Sequence, residues 1–430
     1  MEGTYTPVPH TAIAQAGSGG RTATEHRLDN GLRLVLSEDH LTPVAAVCLW
    51  YDVGSRYEVK GRTGLAHLFE HLMFQGSAQV KGNGHFELVQ GAGGSLNGTT
   101  SFERTNYFET MPAHQLELAL WLEADRMGSL LAALDQESLD NQRAVVKNER
   151  RQSYDNVPYG TAFERITALV YPDGHPYHHT PIGSMADLDA ATLDDARAFF
   201  RANYAPSNAV LAVVGDIDPQ QTIAWAEKYF GSIPPYDGRV PPRDGTPECD
   251  AAELALTVLG RGMSSRLYNR LVRRDRTAIA ADFGLLRLTG APSLGWLDVK
   301  AAGGAGLGQI GAAVDEELAR LGAEAPTAEE MERAQALLER EWLDRLGTVI
   351  GRANELCRYA MLFGDPRLAF TAVDRISGVT AEQVRAVAAA RLRPDNRAVL
   401  AYEPVTPGDR AAVATGGPAG EDGEREGAGQ

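Results

Sequence analysis

Cysteine is scarce in this chain of 430 residues: there are three, Cys48, Cys249 and Cys357, odd in number and far apart. Such spacing excludes a disulfide framework and a Cys-x-x-Cys metal site, and it fits reduced thiols in a cytoplasmic protein. Long apolar runs are missing as well. No stretch of about 18 apolar residues exists to span a membrane. Residues 1–20 show no basic start followed by an apolar run, so no signal peptide is expected. Positive charge is also short, with 41 Lys and Arg against 57 Asp and Glu and a formal net charge of −16. A dedicated nucleic-acid binder carries a basic footprint, which this balance excludes. The acidity reads simply as a means of staying soluble.

What is present is ordinary for a globular protein, 43% hydrophobic and 23% charged, in a chain long enough for two domains. Within it, His67-Leu68-Phe69-Glu70-His71 stands out. On a helix with His67 at zero, His71 falls at about 40° and Glu70 at about 300°, so the three share an arc of about 100°. Leu65, Leu68, Phe69 and Leu72 fall on the opposite side, where a core belongs. Thr63 is placed to cap this helix and Gly76 to end it. Two imidazoles at i and i+4 can bind one metal ion, and the glutamate beside them can take a proton from a metal-bound water. An open catalytic zinc site has three protein ligands, and the residues alone do not choose among Glu103, Glu109, Glu123 and Glu149 for the third.

Around this motif the pattern predicts an α+β fold. Strands are expected at Leu32–Leu36, Val44–Tyr51, 93–100, 105–110 and Ala209–Gly215, with helices between them at His114–Met127, Leu139–Tyr154, Leu193–Ala202 and Gln220–Tyr229. The domain plan is a flexible lead-in over 1–24, a first α+β domain over 25–231 and a Pro- and Gly-rich linker over 232–250. A second, truncated α+β domain without metal ligands follows over 251–407, ending in a strand at Ala398–Tyr402, and then a disordered tail over 408–430.

The two halves echo each other. Gly64 to Leu72 can be laid over Gly262 to Arg270, which puts Ser265, Tyr268 and Asn269 in the places of His67, Glu70 and His71. Pro206-Ser207-Asn208 likewise matches Pro394-Asp395-Asn396. Duplicated domains of mixed or antiparallel sheet covered by helices are therefore expected, with the chemistry kept in the first.

The inverted His-x-x-Glu-His order is the inverzincin signature. Together with Gly93-Gly94-Ser95-Leu96-Asn97-Gly98-Thr99-Thr100, Tyr204-Ala205-Pro206-Ser207-Asn208, Val214-Gly215-Asp216 and Gly262-Met263-Ser264-Ser265-Arg266-Leu267, it makes the chain resemble the pitrilysin family of zinc peptidases, over about Leu32 to Pro404. The resemblance implies half of a clamshell that holds one zinc per chain through His67, His71 and Glu149, with Glu70 as general base. It also implies a strand edge at Asn97, Gly98 and Thr99 to which a peptide adds. Gln142 stands seven positions before Glu149, where the family often has a supporting acid.

Active members of the family also draw an arginine and a tyrosine from the second domain, and here those positions align with Val272 and Ile279, which have no side-chain donor. The expectation is a zinc-bearing subunit that works with a related partner carrying the Arg/Tyr pair, a homodimer being the other arrangement. No nucleic acid or membrane is expected among its partners. The alternative is a non-catalytic scaffold subunit, since the family fold also builds structural parts of larger assemblies. The histidines His175, His178 and His179 lie in a Pro/Gly loop without ligand geometry, and Gly306 to Gly311 reads as a glycine-rich turn rather than a dinucleotide site.

Overall fold

The computed structural model describes residues 21–235 and 247–403. The first half builds a six-stranded mixed sheet from β1 (Thr24–Arg27), β2 (Arg33–Glu38), β3 (Val44–Tyr51), β4 (Ser95–Thr100), β5 (Thr105–Pro112) and β6 (Ala209–Gly215), in the order β1-β2-β6-β3-β5-β4. Only β2 and β6 run parallel; the other neighbours are antiparallel. Strand alternation is visible in the packing. Ala45, Val47, Leu49 and Tyr51 enter one core, whereas Ala46, Cys48 and Trp50 enter another on the opposite face. A strand buried on both faces has to be apolar throughout, as β3 is.

The first face is covered by helices that include α1 (Leu65–Leu72) and α3 (Leu116–Ala133). Between them in the chain lies α2 (Gly84–Gly91), and α4 (Gln136–Arg150) follows α3, continuing as a wider π-type turn over Arg151–Asp155. The opposite face is covered from the far end of the chain, by Val349–Phe363 and the segment after it. The second half has its own antiparallel pair, β7 (Ala278–Leu286) and β8 (Leu294–Ala301), packed with helices over a separate core. The fold is thus α+β, with a mixed and an antiparallel sheet.

The repeat leaves conformational traces. Gly64 and Gly262 both take positive φ, +87° and +78°, and Pro206–Asn208 and Pro394–Asn396 both form a single 3-10 turn. The expected helix after Gly306 is present at Leu307–Ala323, but it leads into another helix, Ala328–Gly347, with no parallel strand between them.

Several expectations need correction. The 232–250 linker gives way to a helix at Pro247–Gly260, and Thr24 already belongs to a strand. Ala398–Glu403 carry no strand. The expectations for residues 1–20, 236–246 and 404–430 lie outside the described residues. Among the described residues, no helix is long and apolar enough to cross a membrane.

Candidate metal centre

Helix α1 is shorter than its pattern predicted. It stops at Leu72, and Gly76, at φ +113°, lies beyond it in a bridge with Lys81. Its cap also differs. Thr63 does not cap; its backbone N–H and hydroxyl both donate to Asp187. The orphan helix donors go to Glu58 instead, which accepts from Gly64 N at 2.9 Å and Ala66 N at 2.6 Å. A carboxylate here also complements the positive end of the helix. His179 Nε2 lies 2.9 Å from the same carboxylate.

The apolar side of α1 is buried as its spacing required: Leu65, Leu68, Phe69 and Leu72 all enter the first core. The opposite side presents His67 and His71, and Glu149 comes to meet them from the last turn of α4. The two Nε2 atoms are 3.4 Å apart, and Glu149 Oε2 lies 3.4 Å from His71 Nε2 and 3.7 Å from His67 Nε2. Ligand atoms about 2.0–2.2 Å from a tetrahedral zinc stand roughly 3.4 Å from one another, so this donor set fits that ion in both spacing and chemistry.

The loop after Thr180 and the short helix it leads into, Met185–Ala190, hold the two helices together. Asp187 takes Thr63 as described, Ser184 N donates to Thr63 Oγ1, and Gly183 O accepts from Arg150 Nη1 at 2.6 Å, one residue beyond Glu149. Gly183 presses on Gly64 so closely that a Cβ there would lie 2.4 Å from Gly64 Cα, and its φ is +69°. Lys147 pairs with Asp189 in that short helix.

Electrostatics prepare the donors. Burial pulls the His67 imidazole down to about 4, with help from the neighbouring His71 and against the pull of Glu149, so His67 is neutral and able to ligate at neutral pH. A hydrogen bond from His71 keeps the Glu149 carboxyl below its usual range. Burial pushes Glu70 the other way, above the usual carboxylate range, although Thr100, His71 and Arg104 hold it back. Glu70 Oε2 and His67 Nδ1 are buried without a hydrogen-bond partner among the described residues.

The remaining candidates separate cleanly. Glu109 and Glu123 sit with His85 in a second buried group, spaced closely enough for a metal, but the Arg126 guanidinium already supplies the cation there. Glu103 lies in the β4–β5 turn and binds elsewhere. Gln142 is buried two turns before Glu149 on α4. Asn97, Gly98 and Thr99 lie on β4, the edge strand, and a Cβ on Gly98 would stand 3.2 Å from Glu70 Cγ, so this edge runs directly beside the motif. Thr99 Oγ1 donates to Asn106, and Asn97 is exposed. Val272 packs against the second core, and Ile279 is 65% exposed at an irregularity in β7. His178 bonds to Tyr171 O and His175 stacks on Tyr171, so the histidine loop builds no metal group. Glu58, Asp187 and Gly183 carry no local signal in the sequence, because one caps from six residues upstream and the others lie in a loop and short helix over a hundred residues away.

An inverted His-x-x-Glu-His helix, completed by a glutamate from a later helix, defines a metallopeptidase type of site. Comparison with known proteins agrees. Residues 33–175 match the family model described as insulinase (peptidase family M16), and residues 190–241 and 238–338 match the M16 inactive domain. The chain belongs to the M16 peptidase family. It is 40% identical to the zinc protease PqqE of Helicobacter pylori over 209 residues, 48% of this chain and 46% of that protein. It is 28% identical to the mitochondrial-processing peptidase subunit beta of Blastocladiella emersonii over 213 residues, 50% of this chain and 45% of that one. These matches span about half the length of the curated relatives. The crystal structure of a protease from Helicobacter pylori superposes with a TM-score of 0.79 at 27% identity, covering 87% of this chain and 98% of that one.

Proposed function

We propose that this chain is the zinc-bearing subunit of a two-subunit endopeptidase that cuts unfolded peptides or leader segments inside a closed chamber. The observation that carries the reading is the convergence of His67, His71 and Glu149 at 3.4–3.7 Å beside an unpartnered Glu70 carboxylate oxygen. These three residues would hold a zinc ion, which supplies Lewis acidity and lowers the pKa of water at the site. Glu70 takes the proton of the attacking water at Oε2 and hands it to the leaving amine, a task suited to a carboxyl whose pKa burial has raised. The β4 edge, flanking Glu70, receives the peptide as an added strand, with Asn97, Gly98 and Thr99 along its contact.

Val272 and Ile279 support the second part of the reading. Neither can donate to a developing oxyanion, and loss of one such donor costs about 10²–10³ in rate. A related subunit with an arginine and a tyrosine would supply them. The test is zinc analysis of the purified chain, co-purification of its partner, and peptide cleavage by the pair. One zinc per chain is expected, with cleavage falling by about 10²–10⁴ in Glu70→Gln while zinc stays bound. Full activity from the single chain overturns the partner requirement, and a folded chain without affinity for zinc favours the scaffold alternative.

A further inference from the structure

The carboxylate of Glu103 does more than fill a turn. It is buried, and its Oε1 accepts from Tyr177 Oη at 2.5 Å, Thr289 N and Oγ1 at 2.7 Å each, and Gly290 N and Arg56 Nη1 at 3.2 Å each. Those donors come from three separate segments: the turn before α1, the loop after Tyr171, and the loop joining β7 to β8 in the second half. Apolar contacts reinforce the junction, where Phe102, Tyr171, Tyr177 and Leu288 form a small core of their own. Tyr171 Oη adds a bond to Pro292 O at 3.0 Å.

Glu103 itself sits in the turn between β4 and β5. Strand β4 has β5 as its neighbour in the sheet and forms its edge, so that turn decides where the far end of β4 lies. Ser55 N and Arg56 N donate to Ser101 O and Phe102 O, and Arg104 Nη1 donates back to Thr99 O. The turn is therefore tied on one side to the segment that ends in the α1 cap, Glu58, and on the other to the second half. We infer that Glu103 is a positioning residue: it docks the β7–β8 loop on the β4–β5 turn and so aligns the peptide-binding edge with Glu70. This inference rests on the peptidase reading for its substrate and on the geometry alone for the docking.

The test uses the zinc-loaded full chain carrying Glu70→Gln, with a fluorescein-labelled flexible peptide selected from a library by that chain. Glu103→Ala is expected to weaken peptide binding by about tenfold or more, since misplacement by an ångström is enough for such a loss. It should also speed amide exchange in residues 95–100 and 287–293 together, with zinc stoichiometry unchanged. Glu103→Gln, which keeps an acceptor for the same donors, should restore most of the binding. Arg266→Ala serves as the control, because it breaks the Arg266–Glu330 pair within the second half and should leave peptide binding alone. If Glu103→Ala fails to fold, Tyr177→Phe removes one donor to Glu103, together with the hydroxyl that accepts from Gly290 N and Arg56 Nη1, and is expected to give a smaller loss of the same kind. Unchanged exchange in residues 95–100, or a loss of thermal stability with peptide affinity intact, overturns the inference. Failure of the Glu70→Gln chain itself to bind any peptide counts against the peptidase reading, and the exchange measurement still decides the docking role.

Discussion

Replacing Glu58 should loosen the zinc site without touching a ligand. Its carboxylate is fully buried, satisfies the N–H groups of Gly64 and Ala66, and receives His179. Glu58→Ala orphans both helix donors, at about 1–3 kcal/mol each for a buried group left unsatisfied. Part of that is returned, because burial also raises the Glu58 pKa, which means the charged form carries a desolvation cost in the native state. The net expectation is a loss of about 2–3 kcal/mol. Glu58→Gln keeps one acceptor oxygen and should lose about half as much. Because α1 carries two ligands within its first two turns, fraying at its start should reduce zinc affinity by about 10- to 100-fold, the range seen when support behind a ligand is removed. Thermal melts of the metal-free and zinc-loaded chain, together with zinc competition against a chelating dye, measure the two effects. A Glu58→Ala chain that melts with the parent and binds zinc equally well would show that the α1 cap is not what orients His67 and His71.

Two further outcomes follow from the same region. Gly183→Ala should destabilise the chain by about 2–4 kcal/mol and weaken zinc binding, since the new Cβ meets Gly64 in a left-handed conformation; calorimetry and zinc titration check it. Asp52 gives a pH signature. Burial raises its carboxyl to about 6 against 3.8 for a free aspartate, although the Tyr57 hydroxyl opposes the shift. Between these values the folded chain keeps a proton that the unfolded chain has lost, so this group's contribution to stability falls as pH rises from about 4 to about 6, by about 3 kcal/mol, and is flat beyond. Asp52→Asn should remove that slope in denaturant unfolding curves measured across the interval.

Much of this was legible in the chain itself, where periodicity is local. The unbroken apolar run of β3 marked a strand inside a sheet, and the apolar back of α1 needed only the 3.6-residue repeat of a helix to predict which of its sides is buried. The spacing of His67, Glu70 and His71 likewise contained their shared face. Helix limits were less legible. Gly76 resembled a stop signal, yet α1 ends a turn earlier, and Thr63 resembled a cap although Asp187 claims its hydroxyl.

The tertiary structure decided everything that depends on residues far apart in the chain. Glu103, Glu109, Glu123 and Glu149 are chemically equal in a sequence, and only packing sends the first to a loop junction and the next two to Arg126, leaving Glu149 beside the imidazoles. The Gly183 loop, clasping Thr63 on one side and Arg150 on the other, is what brings two helices to a spacing fit for one ion. Residue order carries the shared face of His67 and His71; the third ligand and the distances between all three are properties of the packed chain, because they are set by contacts that no local repeat encodes.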